Sequence, residues 1–153
     1  MQQFERIAPD TLRIERVLDA APETVWRWLT DPTLRRRWFA AGTAADHEGP
    51  FDLEFDHDEL SDGEVPYPPE YAKYKGSVSH ERVLTVEAPR RLSWTWGGGK
   101  EGRVTFELFP ENGNRTRLVL THSGISGPPA FANFGSGWLA HLATLERRIA
   151  GHE

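Results

Sequence analysis

Hydrophobic spacing divides the chain into short alternating segments followed by one long helical segment. Residues 11–18, TLRIERVL, alternate polar and apolar positions and predict a strand with Leu12 and Ile14 on one face. Pro22 then opens a short helix over 22–29, with Glu23 in the first turn, where a carboxylate suits the helix dipole. Asp31 and Pro32 restart the chain as a second short helix, N-capped by Asp31 and ending near Trp38 and Phe39. Residues 51–57 predict a strand with Phe51, Leu53 and Phe55 on one side. A turn-rich interruption over 59–71 follows, carrying Asp62-Gly63, Pro66, Pro68 and Pro69. Tyr67, Tyr71 and Tyr74 fall within it or just after it. Residues 74–87 predict a long strand with a bulge near Arg82 and Val83, where the alternation changes phase. Further strands are expected over 92–96, 103–109 and 116–121, with a glycine loop over 97–102 between the first two. The ENGN turn at 111–114 has the flavour of a type I′ hairpin around Asn112 and Gly113.

The last segment, 128–151, organises the rest. Phe131, Phe134, Trp138, His141, Leu142, Leu145 and Ile149 recur at three- and four-residue steps, which places them on one face of a helix. Pro128 and Pro129 suit its first turn, Gly151 the position past its end, and Arg147 and Arg148 the negative end of its dipole. Such an aromatic stripe needs a wide apolar bed. One face of the predicted sheet supplies it, with Leu92, Trp94, Trp96, Val104, Phe106, Leu108, Leu118 and Leu120. The expectation is an α+β class: an antiparallel six-stranded sheet, two short helices after strand one, and a long C-terminal helix, as a single domain over 1–153.

Composition narrows the chemistry. A chain of 153 residues can bury a core without crosslinks, and the absence of cysteine excludes disulfides, thiol nucleophiles and cysteine-ligated metals. A net charge of -5 argues against nucleic acid as the main partner, because a phosphate-tracking surface needs clustered cations. No apolar run is long enough for a membrane span and the N-terminus lacks a signal-peptide core, so a cytoplasmic protein without membrane insertion is expected. Arg35, Arg36 and Arg37 read as the solvated face of the second helix rather than an anion site. The run at 97–102 fits G-x-G-x-x-G, yet a strand rather than a helix follows it, so it reads as a flexible hairpin and not a dinucleotide site. Gly135-Ser136-Gly137 lies in or at the start of a helix and lacks the spacing of a nucleophile elbow.

A family resemblance is carried by Ala21-Pro22-Glu23-Thr24-Val25-Trp26, Leu29-Thr30-Asp31-Pro32 and Trp38. Pro89-Arg90-Arg91-Leu92, Trp94-Thr95-Trp96, Val104-Thr105-Phe106-Glu107-Leu108, Thr121-His122-Ser123-Gly124 and Gly137-Trp138 continue it along nearly the whole chain. In this order and spacing the chain resembles the START-like (SRPBCC) superfamily, in the branch related to the activator of a heat-shock chaperone's ATPase. The resemblance implies a helix-grip (START-like, Bet v-like) fold, in which a curved sheet wraps the C-terminal helix and leaves a cavity between them. It implies much less about function, since that superfamily includes ligand binders, cyclases and co-chaperone domains. The proline-rich 59–71 insert is longer than the resemblance leads one to expect, which makes the cavity mouth particular to this chain.

The default site is that cavity, with Tyr74, His80, Trp94, Trp96, Phe106, His122, Phe134, Trp138, His141 and Leu142 as candidate ligand-binding residues and Tyr67 and Tyr71 at its mouth. Each aromatic could equally fill the core, and the tyrosines could instead pack the proline loop. An inward histidine, above all His141, could serve as general acid or base or anchor a polar ligand; a satisfied core histidine is the plainer alternative. His57 with Asp56 and Asp58 does not make a converging metal set, and the acidic run that follows lacks calcium-loop spacing. No catalytic residue, metal or cofactor is assigned. The leading expectation is a domain that binds a small apolar or lipid-like molecule. A co-chaperone-like activator of a heat-shock chaperone and a cyclase- or hydrolase-type enzyme using a cavity histidine are the alternatives. Monomer and homodimer both remain open.

Overall fold

The computed structural model describes residues 4–55 and 78–151. In chain order the elements are β1 (Glu5–Ala8), β2 (Thr11–Leu18), α1 (Pro22–Thr30), α2 (Pro32–Arg35), β3 (Ala41–Gly42) and β4 (Gly49–Glu54). They continue with β5 (Val78–Glu87), β6 (Arg91–Thr95), a 3-10 turn (Gly97–Gly99), β7 (Arg103–Glu111), β8 (Arg115–Ser123) and α3 (Pro128–Ala150). The strands form one curved antiparallel sheet in the order β1-β2-β8-β7-β6-β5-β4-β3. The fold is α+β with the helix-grip layout that the family resemblance implies, but the sheet has eight strands rather than six. The extra two are its edges. β1 has four residues with no buried side chain and β3 has two, so neither shows the inside-outside alternation by which strands are recognised.

Alternation builds the bed for α3. In β7 Val104, Phe106 and Leu108 are buried, and in β8 Thr116, Leu118, Leu120 and His122 are. Register pairs Val104 with His122, Phe106 with Leu120 and Leu108 with Leu118, so these rows share one face. Trp138, Leu142, Leu145 and Ile149 of α3 complete the core. Each large apolar side chain buried this way contributes about 1.5–3 kcal/mol. The expected bulge on β5 is present, as a shift of register against β6 between Val83 and Thr85. The 111–114 turn differs from the type I′ expectation. Positive φ falls on Gly113 (76°) and Asn114 (62°), leaving a three-residue loop closed by the Glu111–Arg115 pair.

Two glycine positions are set by close approach. At Gly102 (φ 93°) a Cβ would meet the Ser123 carbonyl oxygen at 1.7 Å, so β7 and β8 can begin and end in contact only with glycine there. At Gly135 a Cβ would fall 2.4 Å from the Phe4 ring, which lies against α3. The Gly135-Ser136-Gly137 triplet is therefore inside a helix and makes room for a ring.

α2 is shorter than expected. Asp31 caps it as anticipated, accepting from the Thr33 N–H (2.9 Å), but the helix stops at Arg35. Arg35 is not on a solvated face. Its side chain is fully buried; Nε donates to the Ala40 carbonyl (2.9 Å), Nη1 to Leu29 (3.4 Å), and Nη2 to Ala41 (3.0 Å) and Thr43 (2.6 Å). Burial pulls its pKa down to about 10, opposed by the nearby Asp31 carboxylate. The guanidinium thus gathers the carbonyls of the 40–43 segment, and this keeps Phe39 inside. Of the run, Arg36 is exposed and Arg37 half-buried.

Candidate functional site

The inner face of the sheet and the stripe of α3 meet in an aromatic cluster. Trp94, Phe106 and Trp138 are buried, with ring centroids 5.1 Å (Trp94–Phe106) and 6.0 Å (Phe106–Trp138) apart. Leu142 is fully buried behind them. At this depth the layer is packed ring against ring, so these residues act as a back wall. Among the described residues Trp94 Nε1 has no hydrogen-bond partner.

The cluster is less closed at the end of β6. Trp96 and Phe134 are only half-buried, 6.1 Å apart, and Trp96 lies 5.2 Å from Trp138. Phe39 sits between the two zones, 5.9 Å from Trp96, 5.2 Å from Trp138 and 5.6 Å from the half-buried Phe55. Sequence spacing did not single out Phe39 as a site residue, since it follows a helix end and belongs to no periodic stripe. The adjacent pair Trp38-Phe39 before a small-residue segment was the available signal.

The histidines separate cleanly. His80 does not point inward; its side chain is 80% exposed on the outer face and pairs with Asp52 at 2.7 Å. The reason is phase: Ser79 and Glu81 take the inward positions of β5, so the residue between them faces out. His122 is buried, stacked on Phe134 at 4.9 Å, with both ring nitrogens committed. Its Nε2–H donates to the Glu101 carbonyl (2.8 Å), and Nδ1 accepts from Trp138 Nε1–H (3.1 Å). Because a carbonyl can only accept and an indole N–H can only donate, this pairing fixes the neutral Nε2–H tautomer. Burial pushes His122 down to about 4 against the upward pull of Glu101. His141 is also buried, and its Nδ1–H donates to the Trp38 carbonyl (2.9 Å), tying α3 to the segment that carries Phe39. His122 is thus placed to hold structure, with both nitrogens committed, and His141 ties α3 to the 38–39 segment through Nδ1. Tyr67, Tyr71 and Tyr74, with the 59–71 insert and the His57 neighbourhood, lie outside the described residues.

The state of His122 makes stability pH-dependent. Its folded value lies below the unfolded 6.5, so between pH 6.5 and about 4 the unfolded chain binds a proton that the native chain refuses. The stabilisation is complete above pH 6.5 and is lost as pH falls through about 4. The loss saturates near about 3 kcal/mol. Urea unfolding across that window is expected to show a steeper fall for the wild type than for His122→Gln. Parallel curves would mean that His122 is not the group responsible.

The glycine loop is tied at both ends rather than left free. The buried Glu81 carboxylate takes the Gly98 N–H (2.9 Å), and the Glu101 carboxylate takes Ser126 through its N–H (3.3 Å) and hydroxyl (3.2 Å). A separate surface groove of about 500 Å³ is lined by Thr43, Asp46, His47, Glu48, Phe51 and Asp52. No described helix is long and apolar enough to cross a membrane.

Comparison with known proteins agrees with this architecture. The family model described as "Activator of Hsp90 ATPase homolog 1-like protein" matches residues 19–150. Among solved structures, a Bordetella parapertussis protein is 39% identical over 96% of this chain and 78% of that one, with a TM-score of 0.76. A Mesorhizobium loti protein is 25% identical over 94% of this chain and 98% of its own, with a TM-score of 0.72. A Silicibacter pomeroyi protein named AHSA1 shares the fold at 19% identity, covering 94% and 99% of the two chains with a TM-score of 0.67. No curated protein matches the sequence. By the match over residues 19–150 and the Bordetella relative, the chain belongs to the Activator of Hsp90 ATPase homolog 1-like family, with the START-like (SRPBCC) fold.

Proposed function

We propose that this protein binds a small apolar, ring-bearing or lipid-like molecule at the open end of its aromatic cluster. The observation that carries the reading is the half-buried pair Trp96 and Phe134, lying directly over a packed wall of Trp138 and Phe39. Apolar side chains that a core would normally close over are left with open ring surface, and exposed apolar ring surface beside a packed wall supports a small-molecule site. Trp94, Phe106 and Leu142 serve the site as its rigid back, while His122 orients Phe134 by stacking.

Native mass spectrometry of the protein isolated gently from its own host is expected to show a small-molecule adduct that disappears on denaturation. In vitro, naphthylmethanol is expected to bind the wild type, and a Trp96→Ala, Phe134→Ala double variant to bind about tenfold more weakly, a difference of about 1.4 kcal/mol. A clean native mass together with no binding of naphthylmethanol to the wild type would remove the reading.

The family match favours a second reading, activation of a heat-shock chaperone's ATPase through a surface contact. Adding the protein to the purified chaperone would then raise its ATP turnover. An unchanged turnover at saturating protein would count against it.

A further inference from the structure

One side chain on the inner face is out of character with its surroundings. Glu81 stands directly opposite Phe51 in the β4–β5 ladder and shares its face with Val83, yet it is a carboxylate with only 6% exposure. Its hydrogen-bond donors are all neutral groups. Oε1 takes the Thr95 hydroxyl (2.6 Å) and the Gly98 N–H (2.9 Å), and Oε2 takes the Ser79 hydroxyl. No cationic side chain among the described residues lies within ion-pair distance of it. A carboxylate has about four lone-pair positions, so one on Oε2 remains open. A buried carboxylate without a cation is costly, and such groups are ordinarily paired.

The location of this carboxylate links it to the aromatic site. Thr95 and Gly98 flank Trp96 in sequence, and the turn that begins at Trp96 is held to Glu81 through the Gly98 N–H. Continued from the Val83–Trp94 pair, the antiparallel β5–β6 register puts Glu81 across from Trp96 on the same face, so the carboxylate is held on the side of the half-buried indole. A ring face next to an unpaired carboxylate is the arrangement that accepts a protonated amine, the ring by cation–π attraction and the carboxylate by a charge-assisted hydrogen bond. Resting on the apolar-site reading above, we propose that Glu81 is the specificity-determining residue of that site and selects apolar molecules bearing an ammonium group. Ser79, Thr95 and Gly98 position its carboxylate; the ligand's ammonium supplies the missing cation.

Calorimetric titration at neutral pH with three probes of one shape tests this: naphthylmethylammonium, naphthylmethanol and naphthylacetate. The wild type is expected to bind the ammonium at least about tenfold more tightly than the alcohol, with the carboxylate weakest. In Glu81→Gln the preference of the ammonium over the alcohol is expected to shrink to within about twofold, while the alcohol keeps its wild-type affinity. Equal affinities of the three probes for the wild type would overturn the role of Glu81 and leave the apolar site standing. Failure of all three to bind would remove both. A Glu81→Gln variant that weakens every probe equally would show a purely structural latch and also overturn the proposal.

Discussion

Arg35→Met is expected to lower the unfolding free energy by about 3–5 kcal/mol, read from chemical denaturation midpoints at constant slope. The methionine fills part of the volume but donates nothing. The carbonyls of Leu29, Ala40, Ala41 and Thr43 would lose their shared donor, and each buried acceptor left bare costs about 1–3 kcal/mol. The sum is smaller than four full penalties because Ala41 and Thr43 reach solvent and can recruit water. Arg35→Lys keeps the charge but replaces a planar fork by a point donor, so about half the loss is expected to remain. A loss below about 1 kcal/mol for Arg35→Met would show that the 40–43 segment holds its course without the guanidinium.

Phe39→Ala should be comparably severe, at about 3–5 kcal/mol, because the ring is fully buried and cannot be replaced by collapse of its neighbours. Trp94, Trp96, Trp138, His141 and Phe55 all pack around it. Those neighbours are pinned by other bonds: His141 to the Trp38 carbonyl, Trp138 to His122. The space opened would join the half-open end of the cluster, so naphthylmethanol binding is expected to survive or strengthen while stability falls. Thermal and urea unfolding measure the first effect and calorimetry the second. A stability loss under about 1 kcal/mol would mean the cluster repacks freely, contrary to close packing of the interior.

These two residues also mark where sequence reasoning stops. Trp94, Phe106, Leu118 and Trp138 announce themselves, because alternation in a strand and three- or four-residue steps in a helix are written in their spacing. Arg35 has no such signature. It belongs to a run of three arginines, and what draws it inward is a set of backbone carbonyls, which every residue type possesses. Phe39 lies between elements, where no period applies. His80 misled for a related reason: the inward neighbours on its strand are Ser79 and Glu81, so polarity suggested the opposite facing. At the candidate site, Trp96, Phe134 and His122 were legible as inward residues, but the committed nitrogens of His122 depend on contacts 21 and 16 positions away in sequence. Glu81 was hidden because a carboxylate on a strand ordinarily reads as the solvent face.

The two edges of the sheet have a consequence for how copies of this chain can meet. A strand exposed at an edge is a template on which another chain can continue hydrogen bonding. Here, among the described residues, one edge is only the two-residue β3, broken by Gly42 at φ 110°. The other is β1, whose register shifts between Arg6 and Ala8 and whose outward residues include Glu5 and Arg6. Neither offers a straight, uncharged row of donors and acceptors. Short, irregular and charged edge strands of this kind disfavour edge-to-edge pairing between copies at β1 and β3.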